Sequence, residues 1–152
     1  MLRHIKPLIA ATLLGATALP ASAEMISKTS PHTVSVTMDR LEAAVTGAGA
    51  TVFARINHAA GAANVDMDLR PTELLIFGNP KLGTPAMIAA QSAGLDLPLR
   101  VLAYADAEGV VQVIYHDPAS LASDHGLPAD APYLSMMTGA LDKLTGKAVA
   151  AE

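Results

Sequence analysis

Apolar and polar residues alternate in several short runs of this chain, and between them apolar residues recur every three or four positions. The first pattern is typical of β-strands and the second of amphipathic helices. The alternating runs predict strands over 33–36, 51–58, 72–77, 99–106 and 110–116. The helical spacing predicts helices over 38–48, 85–93, 118–124 and 132–145, with a small helical or irregular segment at 59–68. Residues 24–30 match neither pattern and are predicted to be a loose leader.

This order of elements predicts an α+β fold in two layers, with a mostly antiparallel sheet and the helices packed on one face. Within strand 72–77, the residues from Leu74 to Phe77 are apolar on both faces. Such a run is typical of a strand that is covered on both sides. Because the helices cover one face only, self-association is the simplest cover for the other. We therefore expect a homo-oligomer, most simply a dimer.

The N-terminus has the three parts of a secretory signal, namely a short basic head, an apolar run over 8–19 and small residues at 21–23. The apolar run is about a dozen residues long, too short for a bilayer core that takes about 20. We expect cleavage between Ala23 and Glu24, although an uncleaved anchor helix is the alternative. Residues 24–152 are then one domain with a core over about 31–147. The mature protein is expected in the periplasm or secreted, without a stable membrane anchor.

Removal of residues 1–23 takes away two of the ten basic residues and none of the fourteen acidic ones, so the net charge falls from −4 to −6. An acidic domain without a basic run is a poor partner for nucleic acid or anionic lipid. The absence of cysteine excludes disulfides, thiolate metal sites and cysteine nucleophiles. An exported domain without disulfides depends on its hydrophobic core or on assembly.

One long segment, RPTELLIFGNPKLGTP at 70–85, is more specific than these patterns. With the segments at 51–60, 96–99 and 115–118, it resembles the domain-of-unknown-function 302 family. The resemblance implies a compact α+β fold with an antiparallel sheet, grouped with the TATA-binding-protein-like folds, and a tendency to form dimers. It implies no activity.

Two charged residues, Arg55 and Glu73, interrupt strands that are otherwise apolar. A charge on such a strand face must be paired or solvated. One interpretation is a polar patch at the mouth of a ligand groove, joined by Arg70 and His58. The alternative is a structural ion pair or a solvated edge position.

The predicted turn over 78–84 joins the end of a strand to the start of a helix, where free N–H groups and the helix dipole attract anions. Asn79, Lys81 and Thr84 are the candidate ligand-binding residues there. The alternative is a simple turn, followed by Thr84 as the cap of a helix that begins at Pro85.

The sequence gives little support for a metal site or for a serine hydrolase site. The histidines His32, His58, His116 and His125 show no ligand spacing, so no metal site and no cofactor are predicted. The scattered methionines favour core filling. The hydrolase motif Gly-x-Ser-x-Gly is absent. The candidate nucleophiles all lie in predicted helical stretches: Ser92, Ser120, Ser123 and Ser135.

The leading hypothesis is an exported, non-catalytic domain that self-associates and binds a small apolar or anionic ligand between sheet and helices. An enzyme that uses Glu73 as acid or base, with Arg55 or His58 as its partner, is the second hypothesis. A purely structural assembly subunit is the third.

Overall fold

The computed structural model describes residues 24–151, which form one five-stranded sheet with strand order β1-β5-β4-β3-β2. Every neighbouring pair of strands is antiparallel, so the predicted α+β fold class is confirmed. The strands are β1 (Met25–Ser30), β2 (Thr51–Asn57), β3 (Thr72–Gly78), β4 (Leu99–Ala105) and β5 (Val111–His116). The helices are α1 (Val34–Gly47), α2 (His58–Ala63), α3 (Pro80–Ala89), α4 (Leu121–His125) and α5 (Pro132–Val149). Two 3₁₀ helices span Gln91–Leu95 and Pro118–Ser120.

The predicted signal at 1–23 lies outside the described residues. Within 24–151, no helix combines the length and the apolar composition that crossing a bilayer requires.

The main core lies between one face of the sheet and the helices α1 and α5. Alternate residues of β3 point into it, so Glu73, Leu75 and Phe77 are buried while Leu74 and Ile76 are half-buried on the opposite face. A fully buried leucine, valine or phenylalanine stabilises the fold by roughly 1.5–3 kcal/mol. Helices α1 and α5 thus cover the face that carries Leu75 and Phe77, and the face that carries Leu74 and Ile76 remains open.

A second, smaller core joins α3, the 3₁₀ helix Gln91–Leu95, α4 and the first half of α5. Its members are Ala86, Ala93, Leu121, Leu127, Ala131, Leu134 and Met137. Leu99 at the start of β4 packs against both cores. This smaller core holds α3 beside the end of the sheet, where the candidate site lies.

The predictions for the segment 24–36 are wrong in two places. The supposed leader is strand β1, which pairs with β5 from Met25 opposite His116 to Ser30 opposite Val111. The supposed strand 33–36 is the first turn of α1. The Thr33 side chain accepts a hydrogen bond from the Val36 N–H at 3.3 Å, which caps the helix four residues before the predicted cap at Thr37.

The predicted turn over 78–84 is also wrong, because α3 already begins at Pro80. Asn79 caps this helix by accepting the Lys81 N–H at 3.0 Å, and proline is favoured at the first helical position. Thr84 is therefore not a cap but lies inside the helix, as does Pro85.

The second half of the chain follows the predictions more closely. The hairpin β4–β5 is confirmed, and Asp117 caps the helical turn that follows by accepting the Ala119 N–H at 2.9 Å. Helix α5 runs further than expected, to Val149, and Met136 is exposed rather than buried.

Gly139 offers a test of helix α5. It lies near the middle of α5 on the solvent-exposed side, and a Cβ placed there meets no atom within 4 Å. Alanine loses less backbone entropy than glycine on entering a helix, so Gly139→Ala should raise the free energy of unfolding by about 1 kcal/mol. Urea denaturation measures this gain, and a loss of stability would contradict the assigned helix.

Candidate functional site

An apolar cavity with a volume of about 300 Å³ lies where β3 ends and α3 begins. Its walls come from β2, from the β3–α3 junction, from α3, from the segment before β4 and from α5. The lining residues are Phe53, Gly78, Asn79, Pro80, Leu82, Gly83, Thr84, Met87, Leu97, Pro98, Leu99 and Met137. Ligand pockets typically combine an apolar lining with a few polar groups, as this one does.

Backbone irregularity in β2 places an aromatic ring at the cavity. The register of β2 against β3 shifts between Val52 and Ala54, so Phe53 falls outside the regular pairing. It is 57% exposed. A Cβ built on Gly78 would meet the Phe53 ring at 3.6 Å and Pro98 at 3.4 Å. A Cβ at 78 would thus make ordinary contact with both walls, and glycine leaves that space to the cavity.

Helix α3 supplies a second glycine to the cavity. A Cβ on Gly83 would meet Leu97 at 3.9 Å and Met87 at 4.0 Å, which is ordinary contact. The volume that a larger side chain would occupy at this position thus belongs to the cavity. Residues Leu97 and Pro98, which are joined by a cis peptide bond, form the facing wall.

Two polar side chains, Asn79 and Thr84, line this otherwise apolar space. Asn79 uses its Oδ1 to cap α3, which leaves its NH₂ group to donate to a ligand. The hydroxyl of Thr84 can donate or accept. Lys81 is exposed and is not part of the lining. The cavity therefore suits an uncharged molecule with one polar group.

The predicted residues Arg55 and Glu73 lie elsewhere, under helix α1. The Arg55 Nε donates to the Glu73 carboxylate at 2.7 Å, and its Nη1 donates to Asp39 at 2.6 Å and lies 3.4 Å from Glu42. Partial burial opposes the charge on Arg55, but the hydrogen bonds to Asp39 and Glu73 outweigh it and raise the pKa of the guanidinium. The two residues line none of the cavities beside α3 and α4, so their geometry is that of an ion pair between helix and sheet.

Arg70 and His58 are exposed at a third location. The Arg70 Nε donates to the Ala105 carbonyl at 3.0 Å. A hydrogen bond from Gln112, together with N–H groups of the β4–β5 turn and the charge of Arg70, lowers the pKa of Asp106. His58 begins α2 on the surface. The structure thus brings only Asn79 and Thr84 of the seven predicted site residues to the cavity.

Sequence reasoning missed the apolar lining, because it is assembled from separate segments. Leu82, Met87 and Leu97 lie on no single periodic face that the sequence could indicate. One signal was present at Phe53, a large aromatic residue whose strand phase is opposite to that of Val52 and Ala54.

Among residues 24–151, no cluster of three histidine or acidic side chains is placed to hold a metal ion. His125 instead contacts Asp96 and Ser92, and His116 lies at the end of β5.

Comparison with known proteins assigns the domain to a family. The model of the family described as "Domain of unknown function DUF302" matches residues 26–144. The chain belongs to this family. A crystal structure of an uncharacterized conserved DUF302 protein from Bacillus stearothermophilus aligns with the domain at a TM-score of 0.65. The alignment covers 82% of this chain and 94% of that one at 17% identity, so it shows a shared fold.

Two curated proteins that this chain matches come from Brucella. The chain is 43% identical over 117 residues to the fluoride-specific ion channel FluC 1 of Brucella suis biovar 1 (strain 1330). The same identity holds for FluC 2 of Brucella melitensis biotype 1. The matches cover 76% of this chain but only 46% and 43% of those proteins. The chain therefore spans less than half the length of the curated relatives that it matches.

Proposed function

We propose that this DUF302 domain binds a small, mostly apolar ligand in the cavity between β3, α3 and the segment before β4. The cavity itself carries this proposal, because its volume of about 300 Å³ lies at the lower end of ligand pockets and its wall is mainly carbon. The amide of Asn79 and the hydroxyl of Thr84 supply the few polar contacts that orient a bound molecule. The channel activity named for the Brucella relatives is not transferred, because the match covers less than half of each.

The chemistry of the cavity favours an uncharged ligand over an anion. Burial of a carboxylate without a cationic partner is costly, and Lys81 is not among the lining residues. We expect 1-octanol to bind more tightly than octanoate. If octanoate binds more tightly, the anion site predicted from Lys81 is favoured instead.

A cavity-filling variant tests the proposal directly. Gly83→Leu places a side chain in the cavity, whereas Gly139→Leu places the same side chain on the open face of α5. Titration calorimetry with 1-octanol should show saturable binding to the wild type and to Gly139→Leu, and at least a tenfold loss for Gly83→Leu. Equal binding by all three proteins, or by none, would contradict the proposed site.

A second candidate role, self-association, is favoured by the open face of the sheet. The register aligns Ile56, Leu74, Leu102 and Ile114 in one row across four strands. These side chains lie on the face opposite α1 and α5, and the row ends at Ser27 of the edge strand β1. An apolar stripe with a polar border can pair with the same stripe of a second copy around a two-fold axis.

Light scattering on the domain tests this dimer. Leu102→Lys places a charge in the middle of the row, so this variant should convert a dimer to a monomer. Thr29→Lys adds the same charge on the same face but at the polar edge, and it should leave the dimer intact. A monomeric wild type would exclude self-association, and a dimer without octanol binding would favour a purely structural subunit.

We also propose that residues 1–23 direct export. One contact and one strand boundary support a cut between Ala23 and Glu24. The Glu24 carbonyl accepts the Asp117 N–H at 2.8 Å, and β1 begins at Met25. Cleavage there leaves the strand complete. Mass spectrometry of the protein from the periplasm should give a chain that begins at Glu24, and a full-length chain would contradict export by cleavage.

The alternative enzyme with Glu73 as acid or base receives no geometric support. The carboxylate is held by Arg55 at 2.7 Å beneath α1, and neither residue lines the cavity beside α3 or the groove beside α4.

A further inference from the structure

Three chemically reactive side chains meet between α4 and the 3₁₀ helix Gln91–Leu95, and none of the three lines the proposed ligand cavity. The Nδ1 atom of His125 lies 3.1 Å from the hydroxyl oxygen of Ser92. Its Nε2 atom lies 2.7 Å from Oδ2 of Asp96. Ser92 and His125 are 33 residues apart in the chain, so no local motif could have paired them.

The hydrogen bonds fix the tautomer of His125. An ionised carboxylate accepts hydrogen bonds but cannot donate them, so the proton of the neutral ring lies on Nε2, toward Asp96. Nδ1 then carries the lone pair and accepts the hydroxyl proton of Ser92. The side chain of His125 is only 7% exposed, and Arg100 holds the other Asp96 oxygen at 3.1 Å. With Nε2 directed at Asp96 and Nδ1 directed at Ser92, the neutral ring has the geometry of a general base for the Ser92 hydroxyl.

We propose that Ser92, His125 and Asp96 form a hydrolytic centre that cleaves small carboxylic esters, with Ser92 as nucleophile, His125 as base and Asp96 as the positioning residue. A nucleophile within hydrogen-bond reach of a base that a third group orients is the arrangement required for this chemistry. The ring is used in the opposite sense to that of chymotrypsin-like proteases, where Nε2 faces the serine. The roles are preserved, because either imidazole nitrogen can take up a proton.

The reaction balances with water as the only co-reactant. The Ser92 oxygen attacks the ester carbonyl carbon while its proton passes to Nδ1 of His125. The carbon–oxygen bond to the alcohol breaks, and that alcohol leaves with the proton from His125. Water then attacks the acyl group on Ser92, transfers a proton through His125 and releases the acid. Ester and water give acid and alcohol, and the side chains return to their starting state.

The serine is accessible to a substrate. Ser92 is exposed, and its neighbour Gln91 lines an open groove with Thr84, Met87, Ile88 and Ala89. Ile88 is among the most exposed apolar side chains of the described chain and offers a contact for a short acyl group. The groove is shallow, which favours small esters over long ones.

Labelling with a fluorophosphonate probe tests the assignment of Ser92 as the nucleophile. The probe should form one covalent adduct, which peptide mass spectrometry should place on Ser92. Ser92→Ala should abolish the adduct and lower kcat/KM for p-nitrophenyl acetate by at least about 100-fold, because the variant lacks the nucleophile. Ser123→Ala is the matched control, since Ser123 is an exposed serine of α4 bonded only within its own turn. It should leave both readouts unchanged.

His125→Gln should lose the adduct as well, and Asp96→Asn should lower the rate while the fold is retained. If His125→Gln fails to fold, Ser92→Ala still decides, because Ser92 is on the surface. No adduct on Ser92, or equal hydrolysis by wild type and Ser92→Ala, would overturn the proposal and leave the three residues as a structural tie between α4 and the 3₁₀ helix.

Discussion

Replacing Phe77 with alanine should lower the free energy of unfolding by about 3–5 kcal/mol, the usual cost of removing a buried phenylalanine. Phe77 is 2% exposed in the main core, opposite Val52 in the register and beside α1 and α5. The loss combines the transfer of the ring to water with a cavity that close-packed neighbours fill only in part. Urea denaturation at neutral pH measures it.

The chain provides a matched control, because Phe53 is its only other phenylalanine. Phe53 lies in the irregular part of β2, lines the ligand cavity and is mainly exposed. Phe53→Ala should cost less than about 1 kcal/mol, as is usual for exposed positions, but it should weaken octanol binding. Equal losses of stability at the two positions would contradict the burial of Phe77 in the main core.

Replacing Arg55 with methionine should also be severe, at about 3 kcal/mol. The Glu73 side chain is only 10% exposed, and Arg55 donates to it at 2.7 Å. Removal of one partner leaves a buried charge without compensation, which typically costs 3–5 kcal/mol. The lower end applies here, since Arg55 itself is partly exposed. The midpoint of urea unfolding measures the change.

The double variant Arg55→Met/Glu73→Leu separates pairing from packing. Replacement of a buried ion pair by apolar residues of similar volume is often neutral or stabilising. The double variant should therefore recover most of the stability that Arg55→Met loses. If the two substitutions add, the residues do not act as a pair, and the position of Arg55 beneath α1 would need another explanation.

The sequence predicted best those elements that local rules determine. Strand β3 is a continuous apolar run over 74–77, and the hairpin β4–β5 has a short turn that contains Gly109 in a left-handed conformation. The strand predicted over 33–36 is wrong for a local reason. Thr33, Val34 and Val36 are residue types that favour strands, but the side chain of Thr33 caps a helix. Tertiary packing decided between these tendencies, since Val34 is buried in the main core.

Helix α3 shows a correct rule applied to the wrong residues. A capping side chain before proline marks a helix start, and the chain offers both Asn79–Pro80 and Thr84–Pro85. Both fit the local pattern, and only the first is used. The ligand cavity was beyond sequence reasoning for a different reason. Residues far apart in the chain, such as Phe53, Leu97 and Met137, meet there only after the sheet and both cores have formed.

The central claim is that a small apolar molecule binds between α3 and the end of the sheet. Its most direct test is NMR of the methionine methyl groups during titration with 1-octanol. Met87 and Met137 line the cavity, Met38 is buried in the main core and Met67 is exposed. The account predicts saturable shifts for Met87 and Met137 and none for Met38 and Met67. No saturable shift, or equal shifts at all four methyl groups, would contradict it.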